Sequence, residues 1–269
     1  MGAARGGHLE FLKTLEKLDL LHKQSNICSN AAHGGKLEAL KWARERGYNW
    51  GTTSQAAASQ GHLDILKWAK DNGCKITIVT GASAASSGHL EVLKWLQAEH
   101  IPWRGYPGIC SYAVKSGKIE ILQYLMDNGC TWDKAASIGA ISAGRLDILQ
   151  WIAARGYAIP DSICSKAAKE GHFDILKWAR EWGFAWSKDV CSNAAKNGDF
   201  EMLKWARENG CPWDSWVCYY AVDCENFEML KWAVENECSL DNVRACVDLA
   251  KSKKRKDIVE YLIEWRKKY

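Results

Sequence analysis

The chain has 269 residues, 47% of them hydrophobic and 25% charged, with a formal net charge of +4. That balance excludes wholesale disorder, and no run approaches the ~18 consecutive apolar residues of a membrane span. Residues 1–8 lack an apolar signal core, so eleven cysteines point to reduced thiols in the cytoplasm, with the nucleus open.

One repeated unit runs from end to end. The first copy, 1–27, centres on Glu10 and reads as a partial N-terminal cap. Copies follow at Glu38, Asp64, Glu91, Glu120, Asp147, Asp174, Glu201, Glu228 and Asp257, at spacings of 26 to 29 residues. Residues 243–269 form a basic C-terminal cap, and 1–269 reads as one domain of about ten units. Within each copy, the stretch before the acid reads as a short helix. Candidate N-caps are Asp133, Asp161, Ser187 and Asp214. Seven residues before the acid stands an alanine in all ten copies, from Ala3 to Ala250, which implies a close helix approach. Three before it stands glycine in eight, suited to a tight turn. A second helix follows, with leucine two residues after the acid in nine copies. Gly47, Gly73, Gly129, Gly156, Gly183 and Gly210 then fit a helix C-terminal cap. The fold class is therefore all-α, a solenoid of stacked helix-turn-helix units.

The segment Ala167-Ala168-Lys169-Glu170-Gly171-His172-Phe173-Asp174-Ile175-Leu176-Lys177-Trp178, with the closing Gly73-Cys74, Gly129-Cys130 and Gly210-Cys211, resembles the ankyrin repeat. The resemblance spans essentially the whole chain and is specific in the second helix, and the short, Trp-rich unit is similar to those of protists, algae and large DNA viruses. Two departures stand out. The period is about 27 rather than 33. The Thr-Pro-Leu-His opening is absent, with Cys28, Cys110, Cys164, Cys191 and Cys218 where its leucine would sit. The missing length falls where ankyrins build their β-hairpin, so short loops are expected there. The resemblance implies protein–protein binding without catalysis.

Twelve of the fifteen tryptophans occupy two register positions. Trp42, Trp68, Trp95, Trp151, Trp178, Trp205 and Trp232 lie four residues after the acid. Trp50, Trp103, Trp132, Trp186 and Trp213 lie twelve after it. Invariance from copy to copy marks packing between repeats. Trp182, Trp216 and Trp265 fall outside both columns and are expected to be exposed. The cysteines also follow register, too far apart to bridge along a column, and act as small fillers. No Cys-x-x-Cys pair exists, so no metal is expected. The turn histidines His8, His62, His89 and His172 alternate with Lys, Arg, Asp and Asn, which fits a solvated or turn-stabilising position. No nucleotide, metalloprotease or nucleophile-elbow motif occurs, so neither a catalytic residue nor a cofactor is expected.

Binding residues in a repeat array are those that vary. On the first helices, expected to face a concave side, the variable positions include Asn30, Tyr112, Lys115, Lys166, Lys169, Asn193, Lys196, Tyr219 and Tyr220. They point to a non-catalytic scaffold for an unidentified peptide or protein partner of acidic character, acting as a monomer with no membrane contact. The alternative is nucleic-acid binding or nuclear targeting through Lys253, Lys254, Arg255 and Lys256. Residues 251–269 carry eight basic and three acidic side chains, whereas the remainder carries 28 and 29. A neutral body disfavours nucleic acid as the main partner.

Overall fold

The structure is a computed structural model that describes residues 2–22, 26–101 and 108–268. Among these residues the regular structure is entirely helical, without a strand. Two compact units are present, Met1–Ala140 and Ile141–Tyr269.

The first unit contains α1 (Gly2–Gly6), α2 (Leu9–Lys17), α3 (Ile27–His33), α4 (Leu37–Glu45), α5 (Thr53–Gln60), α6 (Leu63–Asp71), α7 (Ile78–Ser87), α8 (Leu90–Ala98), α9 (Ile109–Ser116) and α10 (Ile119–Asp127). The boundary falls within α11 (Lys134–Ser142). The second unit continues with α12 (Leu146–Ala153), α13 (Ile163–Glu170), α14 (Phe173–Glu181), α15 (Asp189–Lys196), α16 (Phe200–Glu208), α17 (Trp216–Asp223), α18 (Phe227–Glu235), α19 (Val243–Ser252) and α20 (Lys256–Lys268). In each unit an odd-numbered helix pairs with the even-numbered helix after it as a hairpin. Successive hairpins pack in series through their odd-numbered helices: α1, α3, α5, α7 and α9 in the first unit, and α13, α15, α17 and α19 in the second. This serial contact is the pattern of a helical repeat array.

The alanine column explains the spacing. Ala31, Ala57, Ala84, Ala113, Ala140, Ala167, Ala194, Ala221 and Ala250 are each 0% exposed. A methyl group fills the space, and anything larger would push neighbouring first helices apart. The same alanines end their helices. Lys36 N–H donates to the Ala31 carbonyl at 2.9 Å and His172 N–H to Ala167 at 2.9 Å, closing a Schellman-type turn.

That turn needs a left-handed residue. Glycine supplies it in eight copies, from Gly7 (φ +76°) to Gly198 (φ +71°). The two copies without glycine keep the conformation, at Glu225 (φ +56°) and Lys254 (φ +59°). The second helices end the same way. Where glycine is missing there, Asp19, His100 and Glu237 take φ of +56°, +53° and +65°. These five are the non-glycine residues with positive φ among the described ones, so backbone strain is confined to the two repeat turns. Of the expected N-caps, Asp133 Oδ1 accepts from Ala136 N–H at 2.7 Å. Ser187 and Asp214 hold the loops ahead of α15 and α17 through Asp189 N–H (3.3 Å) and Trp216 N–H (3.2 Å). At α13 the cap position is Ser162, one residue after Asp161. Asp199 and Asn226 cap α16 and α18 at 2.9 Å, at the turn position held elsewhere by histidine.

That turn position is structural in other copies too. His89 Nε2 lies 3.2 Å from the Ser59 carbonyl, His172 Nε2 lies 3.3 Å from Ser142, and Lys118 Nζ donates to Gly88 at 2.9 Å. Each side chain reaches back about one repeat to the C-terminal end of the preceding first helix, where unpaired carbonyls favour donors and positive charge.

The tryptophan columns meet across repeats. In the first unit Trp50 packs edge-on against Trp68 (5.8 Å, 61°). In the second, Trp186 meets Trp205 (5.8 Å, 77°) and Trp213 meets Trp232 (5.5 Å, 76°). An arginine lies over the outer ring in each case: Arg44 on Trp50 at 4.3 Å, Arg180 on Trp186 at 4.1 Å and Arg207 on Trp213 at 4.6 Å. The guanidinium groups of Arg44 and Arg180 also donate to the loop carbonyls of Tyr48 and Phe184. Periodicity alone did not expose this arginine, because other copies carry different residues there. Trp182 and Trp216 are exposed as expected, at 55% and 50%, whereas Trp265 is half-buried. Trp103 lies outside the described residues.

All eleven cysteines are free, and only Cys224 is exposed. Burial pushes the thiols of Cys28, Cys164 and Cys246 up to about 11, and that of Cys110 to about 12. Within single hairpins Cys191 neighbours Cys211 and Cys218 neighbours Cys238, while Cys211 Sγ donates to the Ser187 carbonyl at 3.4 Å and Cys238 Sγ to the Asp214 carbonyl at 3.2 Å. The neighbouring cysteines are twenty residues apart in sequence and do not belong to one column. The neighbouring thiol and burial together push Cys191 and Cys218 up.

Three outcomes follow from this packing. Glu225→Gly removes left-handed strain and raises stability by ~1 kcal/mol, measured by urea unfolding. Ala194→Leu overfills the first-helix contact and costs about 1–3 kcal/mol in the same assay. The thiols make the fold sensitive to alkali. In the unfolded chain they ionise near their ordinary 9.0, but in the fold Cys28, Cys164 and Cys246 do so near 11. Their contribution is complete below about pH 9 and is lost as pH rises toward 11. Melting temperature against pH should fall across that window, and a Cys164→Ala variant should fall less.

Candidate functional site

The first helices of the second unit carry a groove. A cavity of about 540 Å³ is lined by Ser162, Ser165, Lys166, Lys169, Lys188, Asp189, Ser192, Asn193, Lys196, Asp214, Trp216 and Tyr220. These residues come from α13, α15 and α17 and from the loops that lead into them. Stacking places equivalent positions of successive helices side by side. Lys166, Asn193 and Tyr220 are 27 residues apart and line one wall together.

The groove is polarised. It holds four lysines and two aspartates, a formal charge of +2. Both aspartates are engaged. Asp214 Oδ2 takes Lys188 Nζ at 2.9 Å, and Asp189 Oδ2 takes the Ser187 hydroxyl at 3.0 Å. The Asp214 hydrogen bond and charge raise the Lys188 pKa, keeping that ammonium charged. Among the described residues Lys166 and Lys169 have no salt bridge within 4 Å, and Lys196 lies 5.6 Å over the Tyr220 ring. Asn193 is partly committed, since its Nδ2 donates to the Ser165 carbonyl at 3.2 Å and ties α15 to α13.

An aromatic wall closes one side. Trp216, 50% exposed, tilts against Tyr220 at 5.7 Å and meets Tyr219 edge-on at 5.3 Å. Tyr219 and Tyr220 are themselves 5.8 Å apart. A rigid aromatic patch beside mobile ammonium groups offers apolar area and charge to one ligand.

Of the residues expected from sequence, Lys166, Lys169, Asn193, Lys196 and Tyr220 come together here. Tyr219 supports the aromatic wall without lining the groove. Asn30, Tyr112 and Lys115 belong to the first unit. There Lys115 Nζ lies 5.3 Å over the Tyr112 ring, and Asn30 Nδ2 donates to the Asn26 carbonyl at 2.7 Å. Lys188, Asp189 and Asp214 were not anticipated as groove residues. They sit in or beside the interhelix loops, where the repeat pattern carries little side-chain information.

The basic C-terminal residues have other partners. Lys253 Nζ donates to the Asp223 carbonyl at 2.6 Å and pairs with its carboxylate at 3.1 Å. Arg255 makes a bidentate pair with Asp257 (3.0 and 2.6 Å) and donates to the Glu225 carbonyl at 2.6 Å. These bonds raise the pKa of both cations, Lys253 through Asp223 and Arg255 through Asp257. Both side chains therefore tie α19 and its turn to α17. Lys254 and Lys256 line a shallow hollow of about 400 Å³ with Lys251, Arg255, Val259 and Glu260.

Among the described residues no cluster of three or more His, Cys, Asp or Glu side chains is placed to hold a metal ion, and no helix is long and apolar enough to cross a membrane. In comparison with known proteins, no family model matches this chain, and no curated protein matches it significantly.

Proposed function

We propose that this protein is a non-catalytic, ankyrin-like binding scaffold whose second unit takes an acidic peptide segment in the groove along α13, α15 and α17. The observation that carries this reading is the groove itself. Lys166, Lys169 and Lys196 present positive charge beside the exposed face of Trp216 and Tyr220. The repeated glycines and the turn residues His89, His172, Asp199 and Asn226 have structural uses, whereas Lys166, Lys169 and Lys196 stand at positions that vary between copies.

The mechanism of binding is division of labour. The lysines steer an anionic segment toward the groove and lose affinity as salt rises. The aromatic wall supplies the short-range energy, because Trp and Tyr offer large contact area at low entropic cost. The salt bridge between Lys188 and Asp214 keeps the loop before α17 in place as the ligand seats. The ankyrin-like identity rests on the alanine, glycine and leucine register and on the serial hairpins.

The test uses a fluorescein-labelled peptide of sequence Glu-Glu-Phe-Glu-Glu and its anisotropy on titration with the protein. Replacing Lys166, Lys196 and Tyr220 together with alanine should weaken binding at least about tenfold. Replacing Lys41 and Lys94, on the second helices of the first unit, should leave it unchanged. Absence of binding, or equal loss in both variants, would overturn the groove as the binding site.

A further inference from the structure

A second cavity in the same unit has the opposite charge. About 900 Å³ opens between the loop after α18 and the outer face of α20. Its walls are Val234, Cys238, Leu240, Tyr261 and Trp265, and its rim carries Glu235, Glu237, Asp241 and Glu264. Among the described residues no lysine, arginine or histidine lines it.

The repeat register explains why it is open. Leu240 stands twelve residues after Glu228, where five other copies carry tryptophan and two carry isoleucine, Ile76 and Ile159. Tyr261 stands four residues after Asp257, where seven other copies carry tryptophan. At three other junctions two indoles meet, at 5.5 Å for Trp213 and Trp232. Leu240 and Tyr261 form the one such junction in the sequence with no tryptophan on either side. The Tyr261 ring packs edge-on against Phe227 at 5.4 Å, as Trp232 does against Phe200 at 5.5 Å, and a phenol reaches less far across the junction than an indole. At sister junctions an arginine also covers the outer ring, Arg207 on Trp213 at 4.6 Å. Here that arginine position holds Val234. Both the indole and its guanidinium cover are missing, and four carboxylates surround the space.

We propose that this cavity binds an arginine side chain presented by a partner protein. Guanidinium is the matching group: it is planar, lies flat on aromatic rings and bonds carboxylates two-pronged. In this seat it restores the ring-and-guanidinium layer that sister repeats build from their own residues. The volume falls within the range of ordinary ligand pockets. The site is separate from the basic groove in residues and in charge, and the two proposals stand or fall independently.

Anisotropy of a fluorescein-labelled Gly-Arg-Arg-Arg-Gly peptide tests it, with Gly-Lys-Lys-Lys-Gly and Gly-Glu-Glu-Glu-Gly for comparison. The arginine peptide should bind, the lysine peptide should bind at least about fivefold more weakly, and the glutamate peptide should not bind. Glu237→Gln with Glu264→Gln should weaken the arginine peptide at least about tenfold. Leu240→Trp should abolish binding by filling the cavity while keeping or raising the melting temperature. The alanine triple at Lys166, Lys196 and Tyr220 should change nothing. If Leu240→Trp fails to fold, the paired glutamine variant decides alone. Failure of the arginine peptide to bind, equal binding of the lysine peptide, full binding by the paired glutamine variant or by a folded Leu240→Trp protein, a loss in the alanine triple, or an equal loss on neutralising Glu38 and Glu91 would each overturn the proposal.

Discussion

The close contact between successive first helices governs most of what else the repeats do. Nine alanines at that contact have no exposed surface. A methyl group there sets the step from one hairpin to the next, and the other contacts inherit that step. His89 and His172 reach the carbonyls one repeat back because the step brings those carbonyls within hydrogen-bond distance of the imidazole. Trp186 and Trp213 reach the next tryptophan for the same reason. Hydrogen bonds of this kind contribute about 1 kcal/mol each, and edge-on aromatic pairs about 0.5–1.5 kcal/mol beyond their buried area. Each junction is modest alone, so stability accumulates only by repetition.

A repeat of about 27 residues has little chain to spend on covering its own edges. The tryptophan pair supplies ring area where a longer unit could use backbone. The arginine at the junction completes this economy. Arg180 lies on Trp186 and also donates to the Phe184 carbonyl, so one side chain covers a ring and satisfies a loop. Lysine could not do both equally well, since its ammonium is a compact point charge without a flat face. The same pressure acts on the cysteines. Residues twenty apart meet where the hairpin closes, and a thiol is small and apolar enough to sit opposite another thiol without bridging.

Much of the fold was legible because several positions tolerate one residue type. Alanine, left-handed glycine and paired tryptophan recur for reasons of space and backbone geometry, and recurrence is what a sequence displays. The missed features depend on contacts whose chemistry changes between copies. Asp199 and Asn226 cap helices at a position where other copies use histidine. Lys253 and Arg255 looked like a free basic patch, but they are held by Asp223, Asp257 and the Glu225 carbonyl. The groove was legible in part. Lys166, Asn193 and Tyr220 were found because register predicts their alignment. Lys188 and Asp214 were not, because interhelix loops carry no register of their own.

Departures from register are the more informative signals of binding. A residue that repeats has been selected by its neighbours in the stack, and its chemistry is already committed. Trp216 breaks register by standing at the start of a first helix, where no ring is needed for packing, and half of its surface remains exposed. Leu240 with Tyr261 breaks it in the other direction, leaving space at the one junction in the sequence with no tryptophan on either side. One departure adds apolar surface beside lysines; the other removes it beside carboxylates. A folding argument alone would favour neither change, since exposing an indole gains no burial and shrinking a core side chain forfeits about 25 cal/mol for each Å² of lost contact. On the two proposals each loss is recovered by its own ligand: an acidic segment covers the exposed Trp216 ring, and an arginine side chain fills the space beside Leu240.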